Sequence, residues 1–227
     1  MLTLAVPSAA QATPALVTPL EPCYATAGTV DEPQGEGVMV SATGFTPNAS
    51  VDLTIDARQV PGGDGLQTGV FGELLPVEVP APFIRRGTRT FTLTVAEVGN
   101  PANVLTATAK TTALGVTVRP RSAEPTSRVR FAGSGFLAPK WVYAHYLLYE
   151  RNPYDVAGQR GKLMRTVRIK RPRGGCGRFA VRRPQIPLAE PRLGYWLVQF
   201  DQRRRYTRPP ATAFHQLLIR VFQRAQR

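Results

Sequence analysis

Apolar and polar positions alternate in short runs along most of this chain. Val51, Leu53 and Ile55 stand at every second position, with Asp52 and Thr54 between them. That is the period of a strand with one buried face. Phe91, Leu93 and Val95 repeat the pattern within residues 90–95. Read this way, the first half predicts strands over 37–43, 51–55, 71–79, 90–95, 104–110 and 114–118. The second half predicts them over 128–131, 141–149, 163–169, 177–181 and 195–200. The Pro-punctuated stretch 13–22, with Leu16-Val17 inside it, is a candidate edge strand, because an edge tolerates proline. The final apolar run, 213–226, fits two patterns. Phe214, Leu217, Leu218, Val221 and Phe222 fall at helical spacing, whereas the parallel with the first half favours a strand over 214–222.

The runs also repeat. Residues 40–55 read Val-Ser-Ala-Thr-Gly-Phe-Thr-Pro-Asn-Ala-Ser-Val-Asp-Leu-Thr-Ile, and residues 129–146 read Val-Arg-Phe-Ala-Gly-Ser-Gly-Phe-Leu-Ala-Pro-Lys-Trp-Val-Tyr-Ala-His-Tyr. Each is a β-rich run, then Gly-Phe, then a Pro-containing turn, then a second β-rich run. A weaker echo sets Gly69-Val70-Phe71-Gly72-Glu73-Leu74 against Gly175-Cys176-Gly177-Arg178-Phe179. Self-similarity at a spacing of about 90 residues argues for two tandem copies of one small β domain. The expected boundaries are 13–120 and 121–227, joined by a proline-stiffened linker at 119–126. About seven short strands per copy is the count of a β-sandwich.

The Gly-Phe turns carry a resemblance. Residues 40–51 and 131–139 resemble the early strands of bacterial immunoglobulin-like domains, which commonly have a Gly-x-Gly-Phe-x-Pro turn between their second and third strands. Ala144-His145-Tyr146, Gly175-Cys176-Gly177, residues 194–201, Tyr206 and Cys23-Tyr24 are similar to a pattern in secreted proteins of high-GC Gram-positive bacteria. The first copy lacks the leading Gly that Gly133 supplies in the second. The resemblance implies an all-β protein of two tandem immunoglobulin-like β-sandwich domains. It implies an extracellular adhesive or structural role, and it carries no characteristic active site.

Composition agrees with a folded, turn-rich β chain: 43% hydrophobic residues, 20 Gly and 21 Pro in 227 residues. Charge adds an asymmetry. Residues 1–120 hold 6 Lys and Arg against 10 Asp and Glu, a net −4. Residues 121–227 hold 23 against 5, a net +18, so the chain totals +14. The basic runs are Lys162, Arg165, Arg168, Lys170, Arg171, Arg173, Arg178, Arg182 and Arg183, and then Arg203, Arg204 and Arg205 with Arg208; the candidate polyanion contacts among them are Arg165, Arg168, Lys170, Arg171, Arg173, Arg203, Arg204 and Arg205. Outward cations on a strand can meet phosphates or sulfates along a polymer. They can also be a solvated face that blocks edge aggregation. No helix-turn-helix, zinc-finger or RNP pattern accompanies them, so sequence-specific nucleic-acid binding is not expected.

Residues 2–12 end in Ala10-Gln11-Ala12, the form of a secretory cleavage site, although no basic residue precedes Arg58. A signal shortened at its start, occupying residues 1–12, is favoured over an Ala-rich tail. No stretch reaches the roughly 20 apolar residues of a membrane span. The expectation is a soluble protein, extracellular or at the cell surface. Cys23 and Cys176 fall in different copies. They are either a bridge across a long loop or two separate buried thiols.

Chemistry is sparse. No Gly-x-Ser-x-Gly elbow and no phosphate-binding Gly loop is present. Ser134 stands in the repeated turn, where the first copy has Thr43. His145 lies among Trp141, Tyr143 and Tyr146, and His215 begins the last apolar run; both read as packing or surface residues. Asp31, Glu32 and Glu36 lack calcium-loop spacing, and Asp52 and Asp56 flank a strand. The expectation is no enzyme, no cofactor and no metal. The favoured function is an exported binding or adhesion module whose second domain contacts an anionic wall polymer or other polyanion. The alternative is a structural spacer without a ligand.

Overall fold

The computed structural model describes residues 13–29, 31–155, 159–207 and 214–222; the signal reading of residues 1–12, and Arg208, lie outside the described residues. Among the described residues every regular element is a strand and none is a helix. In chain order they are β1 (Ala15–Leu16), β2 (Cys23–Gly28), β3 (Pro33–Gly35), β4 (Gly37–Thr43), β5 (Ser50–Ile55), β6 (Arg58–Gln59), β7 (Leu66–Gln67), β8 (Leu74–Pro80) and β9 (Thr88–Glu97). There follow β10 (Asn100–Ala113), β11 (Gly115–Arg119), β12 (Arg128–Ser134), β13 (Val142–Tyr149), β14 (Lys162–Lys170), β15 (Phe179–Pro184), β16 (Gly194–Asp201) and β17 (His215–Val221). The all-β expectation holds, and the last apolar run is a strand rather than a helix. Leu217, Ile219 and Val221 share one face of β17 and pack into or against a core.

The chain divides into two compact units that alternate along the sequence. Unit 1 is Met1–Glu21, Glu36–Pro82 and Thr90–Ala109; unit 2 is Pro22–Gly35, Phe83–Arg89 and Lys110–Arg227.

In unit 1, β1, β4 and β8 form one sheet in that order, with Ala15 opposite Thr43 on the edge. β5 pairs antiparallel with β9 and with the short β6 and β7. The alternation closes the core. Val38, Val40 and Ala42 of β4, Val51, Leu53 and Ile55 of β5, and Phe91, Leu93 and Val95 of β9 are all buried. Each large side chain contributes about 1.5–3 kcal/mol by leaving water. Phe45 is buried just past β4, and its N–H donates to the Gly72 carbonyl at 3.1 Å. Gly72 closes the turn 69–72 by bonding the Gly69 carbonyl at 3.0 Å. Its φ is 75°, and a β-carbon there would overlap the Phe45 carbonyl oxygen, so only glycine fits.

In unit 2, β11, β12 and β15 form a three-stranded sheet, and β14, β13, β16 and β17 a four-stranded one, each in the order given. β2 pairs antiparallel with β3 and runs parallel to the end of β10, Cys23 opposite Lys110. Strand periodicity carries no partner information. β11, which spacing places at the end of the first copy, hydrogen-bonds to β12, with Arg119 opposite Arg130. Val116, Val129, Phe131 and Phe179 from the smaller sheet share one core with Val142, Tyr146, Trp196, Val198 and Phe200 from the larger. Such shared packing of two sheets is compatible with a β-sandwich. The Gly-Phe turn recurs here. Phe136 is buried, its N–H faces the Gly177 carbonyl at 3.4 Å, and Gly177 bonds the Gly174 carbonyl at 3.0 Å.

Candidate functional site

The turn 174–177 of unit 2 carries Cys176, which is disulfide-bonded to Cys23 at the head of β2 with a Cα–Cα distance of 5.0 Å. The bridged pair is 153 residues apart in sequence. Of the two readings open for these cysteines, the bridge is the one found. In the chain-entropy picture, closing a loop of that length contributes about 5 kcal/mol.

Beside this turn lies a cleft of about 720 Å³ in unit 2. Small residues of β11 and β12 (Gly115, Ala132, Gly133) form part of its wall, so the backbone approaches it closely. Cations surround it. Arg85 and Arg86 come from the segment before β9, Arg130 from β12, and Lys170, Arg171, Arg173 and Arg178 from the end of β14 and the connection to β15. None of its described lining residues is a carboxylate. Two of the cations are anchored. Arg178 Nη2 donates to Thr88 Oγ1 at 2.7 Å, and Lys170 Nζ donates to the Ala180 carbonyl at 3.0 Å. Thr88 is itself tied to Thr112 Oγ1 at 3.0 Å, whose hydroxyl bonds the Gly87 carbonyl at 3.1 Å. His215 also lines the cleft. Burial pushes its pKa down, against a weaker opposing hydrogen bond with the Val116 backbone, so near pH 7 it adds no charge.

A second hollow of about 550 Å³ is lined by Tyr143, Thr166, Arg168 and Arg204. It lies over one face of the four-stranded sheet, where Tyr143 stands opposite Arg168 and His145 opposite Thr166. Trp141 joins the two basic regions. The Arg168 guanidinium sits 4.4 Å from the indole centroid and that of Arg171 5.1 Å, both within cation–π range.

Under the second hollow runs a polar chain. His145 is fully buried. Its Nδ1 lies 2.9 Å from Thr166 Oγ1, and its Nε2 lies 3.2 Å from Asp201 Oδ1 and 3.1 Å from the Arg203 carbonyl. Asp201 also accepts from Gln199 Nε2 at 2.8 Å and from the Arg203 N–H at 2.8 Å. Burial works against the charged form of Asp201, yet these hydrogen bonds outweigh it and hold the carboxyl below its usual range. The chain therefore fixes the backbone that presents Arg203, Arg204 and Arg205. Tyr206 closes over it, its ring 5.7 Å from that of His145.

All eight cations singled out from sequence are exposed, but they do not form one row. Lys170, Arg171 and Arg173 line the cleft, and Arg168 and Arg204 line the hollow. Arg165 stands at odd spacing from Arg168, on the face opposite to it, and donates to the Pro187 carbonyl at 2.6 Å. A register shift between Val142 and Tyr143 separates Lys170 from Arg168. Arg203 and Arg205 line neither hollow. Arg85, Arg86, Arg130 and Arg178 are cleft residues that the sequence site omits. The pair Arg85-Arg86 was the available signal, masked by the acidic average of the first 120 residues.

Other carboxylates fix turns. Asp52 accepts from the Gly65 N–H and Asp56 from the Thr92 N–H, both at 2.9 Å. Among the described residues no three His, Cys, Asp or Glu gather as a metal site, and no helix is long and apolar enough to cross a membrane. No protein-family model and no curated protein matches the chain.

Proposed function

We propose that this chain is an exported, non-catalytic binding or adhesion module of two tandem immunoglobulin-like β-sandwich domains, and that its basic unit holds an anionic polymer at the cell surface. The observation that carries the reading is the cleft with seven cationic side chains in its wall and no described carboxylate. Clustered cations with no carboxylate among the described lining residues raise the local concentration of anions and release counterions when a polyanion binds. The disulfide is compatible with an oxidising compartment. His145 is set between a hydroxyl and a carboxylate, as in a hydrolytic relay. Its Nε2, however, is shared between Asp201 and the Arg203 carbonyl, and its ring is wholly buried. That geometry supports fixing a loop rather than moving a proton.

The test is retention of the full chain on an immobilised polyanion and on wall fragments across a salt series. Retention is expected to fall steeply with salt. Reversing Arg171, Arg173 and Arg178 together to Glu is expected to lower the slope of log K against log salt by about 2–3. Arg58→Glu in unit 1 is expected to change nothing. Retention indifferent to salt, or to the triple reversal, removes the proposal and leaves a spacer.

A further inference from the structure

Two basic hollows stand in unit 2, and one side chain lies between their rims. Arg171 lines the cleft, and Arg168 lines the second hollow together with Arg204. Strand pairing does not carry one region into the other, because the β13–β14 register shifts between Val142 and Tyr143, at the step from Lys170 to Arg168. The residue just before β13 makes the connection. The Trp141 indole centroid is 4.4 Å from the guanidinium carbon of Arg168 and 5.1 Å from that of Arg171. The two carbons therefore stand within about 10 Å of each other, close to one Debye length at 0.1 M salt.

Like charges that close repel, and the negative face of the ring offsets the repulsion. How each guanidinium is held decides what it can still do. Arg165 and Arg183 spend N–H donors on the Pro187 and Ile169 carbonyls. Arg168 and Arg171 are held over a ring instead, a contact that leaves the donors in the guanidinium plane for an anion. No carboxylate is among the described lining residues of either hollow. Asp201 stands opposite Tyr143 on the neighbouring strand, but it is 2% exposed and accepts from Gln199 and from the Arg203 N–H.

A compact anion can occupy one hollow at a time. A linear chain with a charge on every unit can lie in the cleft, pass Trp141 and set a later charge on Arg168 and Arg204. We infer that the cleft and the hollow are two subsites of one track, with Trp141 as the positioning residue between them, and that the ligand is a linear polyanion long enough to fill both rather than a compact anion. This rests on the polyanion reading above and deepens it.

The experiment is calorimetric titration of the full chain with a dimer and an octamer of glycerol phosphate, across a salt series centred on physiological ionic strength. The octamer is expected to bind more tightly than the dimer. Arg168→Gln with Arg204→Gln is expected to weaken the octamer about three- to thirtyfold, the worth of two partly exposed ion pairs, and to lower its salt slope by about 1–2. The dimer is expected to stay within about twofold, since a charge about 8 Å or more away is largely screened. Arg151→Gln with Arg192→Gln removes the same charge beyond the far end of the β13–β16 pair, where neither residue is among those described as lining a hollow, and is expected to leave both ligands unchanged. Trp141→Leu is expected to lower the octamer-to-dimer ratio about threefold, and Trp141→Tyr, which keeps an aromatic face, to restore most of it. An octamer no tighter than the dimer, or one indifferent to the loss of Arg168 and Arg204, overturns the track and leaves the polyanion reading intact. A ratio unmoved by Trp141→Leu overturns the positioning role. Failure of both oligomers to bind the unaltered chain overturns the track and the polyanion reading together.

Discussion

Units 1 and 2 build one turn and use it differently. In each, a buried phenylalanine after Gly leans on a glycine-closed turn, Phe45 on 69–72 and Phe136 on 174–177. In unit 1 that turn points Val70 and Phe71 outward, 63% and 85% exposed. In unit 2 the position of Phe71 is taken by Cys176, bonded to Cys23. Charge divides along the same line. Of the 29 Lys and Arg, 28 belong to unit 2 and only Arg58 to unit 1; of the 15 Asp and Glu, 7 belong to unit 2 and 8 to unit 1. The units therefore carry net charges of +21 and −7, a wider gap than a cut at residue 120 gives. The scaffold sets where the turn stands, and the residues at its tip and flanks set what it can meet.

The comparison breaks first at the phenylalanines. Phe45→Ala and Phe136→Ala each remove a buried aromatic, and each is expected to cost about 3–5 kcal/mol. Denaturant unfolding of the full chain, with hydrogen exchange assigning the loss to one unit, measures both. Losses that agree within about 1 kcal/mol support equal roles for the two turns. A loss below about 1 kcal/mol in either unit means that its phenylalanine only fills space that the turn does not need.

The turn tips should differ. Cys176→Ser is expected to cost about 2–5 kcal/mol through the unfolded chain, whereas Phe71→Ser should stay within about 0.5 kcal/mol. Cys176 lies between Arg173 and Arg178, whose backbones bond each other at 2.8 and 2.9 Å. Its loss should therefore also weaken polyanion retention. Full retention in a destabilised Cys176→Ser variant would show that the cleft is shaped without the bridge.

The all-β class was legible because Val51, Leu53 and Ile55, and Phe91, Leu93 and Val95, alternate cleanly, and every one of them is buried. β2 was not, since Cys-Tyr-Ala-Thr-Ala-Gly lacks a run of large apolar residues and gains its place from the disulfide and the parallel pairing with Lys110–Ala113. The polar chain at His145 was hidden for another reason. Its partners lie 21 and 56 residues away, on β14 and at the end of β16, and only the sheet register joins them. The basic cleft was half legible. Lys170, Arg171 and Arg173 are a local run, but Arg85 and Arg86 reach the same wall from a distant segment.

The smallest expected effect concerns acid. Each unit keeps one carboxyl below its ordinary range: Asp201 in unit 2, and Glu97 in unit 1, where burial opposes the charge but bonds from the Thr46 N–H and the Asn103 amide prevail. A depressed folded pKa stabilises fully above the unfolded value, about 4 for either residue type. That stabilisation is lost as pH falls through about 4 toward the folded pKa, where protonation favours the unfolded chain. Glu97 lies closer to solvent than Asp201, so screening discounts its share. Asp201→Asn is accordingly expected to flatten the acid limb of a urea-midpoint profile between pH 5 and 2, within roughly the span by which folded carboxyls commonly shift, and Glu97→Gln to flatten it less. The reverse order, with Glu97→Gln the larger, would mean that the Thr46 and Asn103 bonds outweigh the buried His145 network. It would place the stronger acid-sensitive anchor in the acidic unit, not in the basic one.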